Sequence, residues 1–303
     1  MRQIKIHIPA TTANLGPGFD CLGVALNIFN KAAVSWQDSN KLTPYQLGDW
    51  AVKLPFEQRA IAEAYSYYAK QNEIDLPKIT IEFTCEIPVA RGLGSSATCA
   101  IAGILAAQII HKGDWDKNEL LNLSAKLEGH PDNVAPAILG GLVLSGKDSD
   151  KVVTSGLACH ENIHVFLMIP DYKLATKTAR SVLPEKILHG EAVKQLVSFG
   201  FLLQGLASGR RDYLKQGNYD FLHEPYRRKL IPEYETIKKD ALSSGCSAVS
   251  LSGAGPSLVG IYAGFKAEAE QVESALTEKL PAGWQLKHVQ VDHSGVVFYS
   301  SPA

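Results

Sequence analysis

Apolar and polar residues alternate at 3–8, where Ile4, Ile6 and Ile8 share one face, and this predicts a half-buried strand. The clearest alternation lies at 78–87. Ile79, Ile81, Phe83, Cys85 and Ile87 fall on one side, and Thr80, Glu82, Thr84 and Glu86 on the other. The stretch 23–36 is apolar and β-branched and reads mostly as strand. Helical spacing appears at 56–70 and, as an amphipathic helix, at 117–128. Between them, 95–111 is small and apolar on nearly all sides, which predicts a helix buried all round. Residues 137–144 run through Gly140 and Gly141 into a further strand. Polar residues gather at 146–151, so a domain boundary is expected near 150, giving domains 1–150 and 151–303. The second half reads as strand 163–169, helices 191–208 and 231–243, strands 247–251 and 258–262, helix 267–280 and strand 286–291. That order is compatible with a split βαβ, ferredoxin-like layer. Strands and helices without regular alternation argue for an α+β class.

Composition narrows the field. A length of 303 residues suggests about two domains. Hydrophobic residues make up 46% and charged residues 20%, as in ordinary globular proteins. The formal net charge of -1 leaves no basic excess to hold nucleic acid. No apolar stretch is long enough to span a bilayer, and the N-terminus alternates instead of forming a signal segment, so no membrane is expected. Five cysteines, at 21, 85, 99, 159 and 246, form no C-x-x-C pair and no zinc pattern. They read mostly as core thiols of a reducing, cytoplasmic compartment. A homodimer is left open.

Three segments carry candidate chemistry. The first is Pro88-Val89-Ala90-Arg91-Gly92-Leu93-Gly94-Ser95-Ser96-Ala97-Thr98, where a strand ends, a glycine loop follows and a helix begins. The first N–H groups of a helix lack partners and the dipole is positive there. Gly92 and Gly94 let the backbone approach an anion, Ser95 and Ser96 add hydroxyls, and Arg91 adds charge, so the loop reads as a phosphate cradle. It is not G-x-x-x-x-G-K-[ST]. Gly92, Gly94 and Ala97 do satisfy G-x-G-x-x-A. A dinucleotide fold, however, needs a second strand after the helix ending in an acid, and here 113–116 leads into another helix. A plain helix cap with tight packing is the simpler alternative.

The second segment, 247–257, carries Gly253, Gly255 and Ser257 between two strands. Alone it reads as a turn; beside the first loop it suggests a second wall of a nucleotide cleft. The third, 9–23, holds three glycines and two prolines and places Asn14 and Asp20 in a rigid setting, where either could serve turn amides instead of a ligand.

These three segments, in this order, resemble the GHMP kinase superfamily, which includes galactokinases, homoserine kinases, mevalonate kinases and phosphomevalonate kinases. Segment 9–23 is similar to the opening of homoserine kinases in particular. So are His130-x-Asp132-Asn133-x-x-x-Ala137, Thr176-x-x-x-Arg180-x-x-Leu-Pro184 and Glu224-Pro-Tyr-Arg227-x-x-Leu-Ile-Pro232. The likeness spans nearly the whole chain. It implies a two-domain GHMP kinase fold, with an N-terminal domain like domain 2 of ribosomal protein S5, a ferredoxin-like C-terminal domain and the active site between them. The implied activity is ATP-dependent phosphorylation of L-homoserine in threonine biosynthesis; a mevalonate kinase-like enzyme or a silent ligand sensor of the same fold are the competing readings.

The resemblance also implies roles. Residues 88–98 with Gly253, Gly255 and Ser257 would hold ATP, and Ser96 and Glu128 would hold Mg²⁺. Arg180 and Arg227 would bind the substrate carboxylate, Asp20 and Asn14 its ammonium. His130, Thr176 and Asn133 would lie near the substrate, with Asn133 beside the reacting hydroxyl. Asp132 is the nearest acid that could act as a base. Residues 57–61 depart from the Asn-Leu-Ile-like stretch that homoserine kinases often carry near the adenosine end of ATP.

Overall fold

The computed structural model describes residues 2–301. Met1, Pro302 and Ala303, at the two ends of the expected domains, lie outside the described residues, as does the side chain of Glu57 in the 57–61 segment. The first lobe is an antiparallel sheet. β1 (Arg2–Asn14) pairs with the long β2 (Gly18–Leu42), aligning Ile4 with Val34 and Ile6 with Ala32. A short helix that the sequence pattern did not mark, α1 (Pro44–Ala51), precedes the expected α2 (Phe56–Gln71), and β3 (Leu76–Thr84) follows. Ile79 and Ile81 of β3 are buried as their alternation requires, while Cys85 and Ile87 fall beyond its end. α3 (Ser95–Lys112) is buried on nearly every face, and α4 (Lys117–Glu128) has the expected bounds.

The run 137–144 passes through Gly140 and Gly141 into a strand as expected, but its first residues belong to a helix that the pattern did not mark. α5 (Val134–Leu139) comes first and β4 (Leu142–Asp148) follows. An apolar run without period does not separate a buried helix from a buried strand. β4 turns back through Ser149 and Asp150 into β5 (Lys151–Leu157), and the two pair along their length. A division at 150 therefore falls inside a hairpin. The polar cluster marks a tight turn, not a linker.

The second lobe holds β6 (Ile163–Pro170), α6 (Thr176–Ser181), α7 (His189–Ser208), α8 (Arg211–Gln216), α9 (Glu224–Arg227) and α10 (Tyr234–Ser243). β7 (Ala248–Leu251), β8 (Leu258–Ala263), α11 (Lys266–Lys279) and β9 (Trp284–Val289) complete it. The sheet order β7-β8-β6-β9, antiparallel throughout, is the ferredoxin-like arrangement. β10 (Val297–Ser301) then returns to the first sheet and pairs with β1.

β6 is covered on both faces, which explains its unbroken apolar run. Phe166 and Met168 pack with Ile237 of α10 and Leu276 of α11. Val165 and Leu167 join Leu22, Val24 and Leu26 of the first lobe in one cluster. Cys99 and Cys246 are buried, Cys21 and Cys159 half-buried and Cys85 exposed, so the expectation of core thiols holds for only part of the set. No helix among the described residues is long and apolar enough to cross a membrane.

Candidate active site

A cavity of about 340 Å³ opens between the lobes, lined by the start of α3, the 130–133 turn, segment 14–20, α6 and Arg227. Gly94 precedes α3 at φ 71°, and no side chain caps the helix. The leading N–H groups of α3 therefore face the cavity without an internal competitor. The glycine spacing has a steric cause. A Cβ on Gly94 would stand 2.0 Å from Thr11 Oγ1, and one on Gly92 2.1 Å from the Ser252 carbonyl oxygen.

That second contact shows what the 252–257 loop does. Ser252 Oγ donates to the Gly92 carbonyl at 2.7 Å and meets Thr12 Oγ1 at 2.8 Å, while Gly253 N donates to the Ala13 carbonyl at 2.9 Å. Of the three residues expected to reach nucleotide from this loop, Gly253 lines the cavity. Gly255 and Ser257 do not, and the Ser257 hydroxyl is fully buried without a partner. The loop braces the glycine turn before α3 from behind.

Within 88–98, Ala90 and Gly92 to Ala97 line the cavity; Pro88, Val89, Arg91 and Thr98 do not. Arg91 donates to the carbonyls of Val89, Pro170 and Asp171, so its guanidinium is engaged by backbone oxygens. Leu93 packs its side chain into the core, and Thr98 is buried, donating to Ser95 O and accepting from Asn30. Ser96 is exposed on the first turn of α3, and its Oγ donates to Glu128 Oε1 at 2.7 Å. Glu128 is the last residue of α4, fixed there by the left-handed Gly129. Desolvation raises the Glu128 carboxyl above its ordinary value, partly countered by the Ser96 hydrogen bond.

The 130–133 turn places three polar side chains on the cavity. His130 Nδ1 lies 2.5 Å from Asp132 Oδ1, and Asn133 Nδ2 donates to the same oxygen at 3.1 Å. Thr11 Oγ1 donates to Asn133 Oδ1 at 2.8 Å, so the amide orientation is set from both ends. Burial lowers the His130 imidazole, but the Asp132 hydrogen bond and charge outweigh it and leave the group raised.

Asp20, Thr176, Arg180 and Arg227 come from distant segments and meet at the opposite wall. Thr176 and Arg180 lie one turn apart on α6, on the cavity side. Arg180 grips Asp20 with both terminal nitrogens, at 2.7 and 3.0 Å, and this contact raises the guanidinium further. Arg227 is almost wholly buried. Burial and the neighbouring Arg180 charge lower it to about 10, so it stays cationic at neutral pH. Asn14 also lines the cavity, yet its amide is engaged at both ends. Nδ2 donates to Gly253 O at 2.6 Å and Oδ1 accepts from Asp20 N at 2.9 Å, so it shapes the segment that presents Asp20. Thr11, Phe19 and His223 were not singled out from the sequence. Threonine and phenylalanine in an apolar strand, and a histidine one residue before Glu224, carry no spacing signal of their own.

The cavity thus joins the uncapped start of a helix to a carboxylate–guanidinium cluster. Among known families, residues 59–141 match the GHMP kinases N terminal domain and residues 202–282 the GHMP kinases C terminal. A homoserine kinase of Moorella thermoacetica is 39% identical over 86% of this chain and 87% of its own length. One of a Synechococcus species is 37% identical over 88% of each. The crystal structure of homoserine kinase from Cytophaga hutchinsonii superposes with a TM-score of 0.83 at 28% identity, over 98% of this chain and 97% of that one. The mevalonate kinase of Methanococcus jannaschii, at 13% identity and a TM-score of 0.71 over 95% of this chain and 98% of its own, shares the fold. Sequence likeness over nearly the whole length and the two matched domains agree: the chain belongs to the homoserine kinase family of the GHMP kinases.

Proposed function

We propose that this chain transfers the γ-phosphoryl group of ATP to the side-chain hydroxyl of L-homoserine, releasing ADP and O-phospho-L-homoserine, as a cytoplasmic step of threonine synthesis. One observation carries the reading. A single cavity holds the uncapped, glycine-led start of α3 on one wall and Asp20, Arg180 and Arg227 on the other. The first suits phosphates. The second suits a zwitterion, because a guanidinium fork matches a carboxylate and a carboxylate matches an ammonium. Mevalonate has a carboxylate but no ammonium for Asp20.

Phosphoryl transfer is mainly positioning and charge neutralisation. Amides of 92–97 hold the phosphates. Ser96 Oγ and Glu128 Oε1 are hard oxygens 2.7 Å apart on the cavity wall, the kind of donor that Mg²⁺ takes alongside phosphate and water. When bound, the ion neutralises phosphate charge. Asn133, held by Thr11 and Asp132, orients the acceptor hydroxyl. An amide takes no proton, and Asp132 Oδ1 already accepts from Asn133 and stands beside His130. We therefore hold that no side chain acts as a strong base and that the γ-phosphate receives the proton.

The test is ADP release with Mg²⁺-ATP and L-homoserine, mevalonate or no acceptor. Turnover with homoserine alone is expected; turnover with mevalonate instead overturns the substrate assignment, and ATP binding without turnover points to a sensor. In the same assay Asp132→Asn is expected to keep turnover within about tenfold. A loss of about a hundredfold or more in a folded variant, the scale of general-base catalysis, overturns the proton route.

A further inference from the structure

A buried cation is aimed by its surroundings, and Arg227 is 1% exposed. Its Nε donates to Ala179 O at 3.0 Å, and its Nη1 faces Gly253 O at 3.3 Å and His223 Nδ1 at 3.4 Å. His223 is itself fully buried. Its Nε2 lies 2.9 Å from the Gly16 carbonyl, which can only accept, so Nε2 carries the hydrogen. Nδ1 is then left with a lone pair, and a guanidinium can only donate to it. The backbone bearing this ring is pinned by Asp220. That buried carboxylate accepts the N–H groups of Leu222, His223 and Glu224 and the Gln195 amide, between 2.7 and 3.2 Å. Phe19 stacks on the imidazole with centroids 5.1 Å apart, and its ring also lies 5.1 Å from the Arg227 guanidinium carbon.

We propose that His223, as a neutral Nε2–H imidazole, is a positioning residue for the carboxylate of the acceptor. It aims the Arg227 guanidinium and, through Gly16, ties it to the 14–20 segment that presents Asp20. The carboxylate and ammonium partners thereby keep one spacing. The inference rests on the reading of the cavity as an amino-acid site given above.

The test compares His223→Gln with His223→Asn. Glutamine can keep the bond to Gly16 O but places no acceptor at Nδ1; asparagine places Oδ1 there. His223→Gln is expected to raise KM for L-homoserine about tenfold, the worth of one misaligned charge-assisted hydrogen bond, with kcat and KM for ATP within about twofold. Its rate on 2-amino-1,4-butanediol, which lacks the carboxylate, should match the wild type. His223→Asn should recover most of the homoserine KM. An unchanged homoserine KM in His223→Gln overturns the proposal. So does a joint decline of kcat, ATP affinity and the diol rate, which would mean a merely structural residue. Should His223→Gln not fold, Phe19→Leu, which removes the stacked ring, carries the same expectation of a raised homoserine KM at constant ATP KM. If the wild type phosphorylates mevalonate and not homoserine, the substrate reading fails separately. The same KM ratio, read with mevalonate, then still decides whether His223 aims Arg227 at a carboxylate.

Discussion

Glu128 shows how a partly desolvated carboxyl works against its own fold. Its folded-state carboxyl is raised by desolvation, so the folded protein binds that proton more tightly than the unfolded chain. The stabilising contribution of the protonated form is therefore complete below the ordinary carboxylate value and is lost as pH rises through the raised value. At neutral pH the penalty of a partly desolvated anion is fully present. Glu128→Gln is expected to lower kcat about a hundredfold, the scale of losing one preorganised charge contact. It should raise the thermal midpoint by about 1–3 °C at neutral pH, and that gain should vanish in acid near pH 4. Paired melts at the two pH values check the sign. The contacts of the candidate site were unevenly legible in the sequence. Ser96 and Glu128 stand 32 positions apart, and no spacing rule joins them; only the resemblance did. Asn14 shows the opposite limit, since a motif match names a position but not which way an amide is used.

Elements were legible where one face is buried and one is wet. α4 matched its expected bounds because Leu120, Leu121, Ser124 and Ala125 are buried along one side and Asp116 caps its start. β3 ended before Cys85, where the chain leaves β2, although side-chain alternation continues to Ile87. Short pieces were not legible. α6, α8 and α9 have six residues or fewer, and Arg180 and Arg227 sit on two of them. Their shape is set by what they pack against. Glu224 at the head of α9 accepts from the Leu251 amide, Tyr234 and Lys238, which fastens the helix to β7 and α10. The glycine loop before α3 was legible as a tight entry into a helix, because the demands on its backbone are local. The second glycine loop was not, because bracing a neighbour is a property of the pair.

Across the whole molecule the lobes are not separate bodies. β2 and β6 share one apolar cluster, and Asn14 and Leu26 bridge to Ser252 and Val291. The cavity walls are thus held by a continuous core, and a two-part division by chain position does not describe them. β10 makes the same point at the far end, since it lies beside β1 and not with the lobe that precedes it. A chain shortened to end at Val296 is expected to melt more than about 5 °C lower and to self-associate, because the outer edge of β1 loses its partner. Melting curves and light scattering on the shortened protein check both effects; an unchanged midpoint would show that β10 is dispensable.

The position of β10 also has a consequence in time. At the usual pace of about 5–20 residues per second, residues 297–301 leave the ribosome some tens of seconds after β1 does. For that interval the nascent first lobe exposes an unpaired strand edge rich in isoleucine, and it can be finished only when the second lobe has already been made.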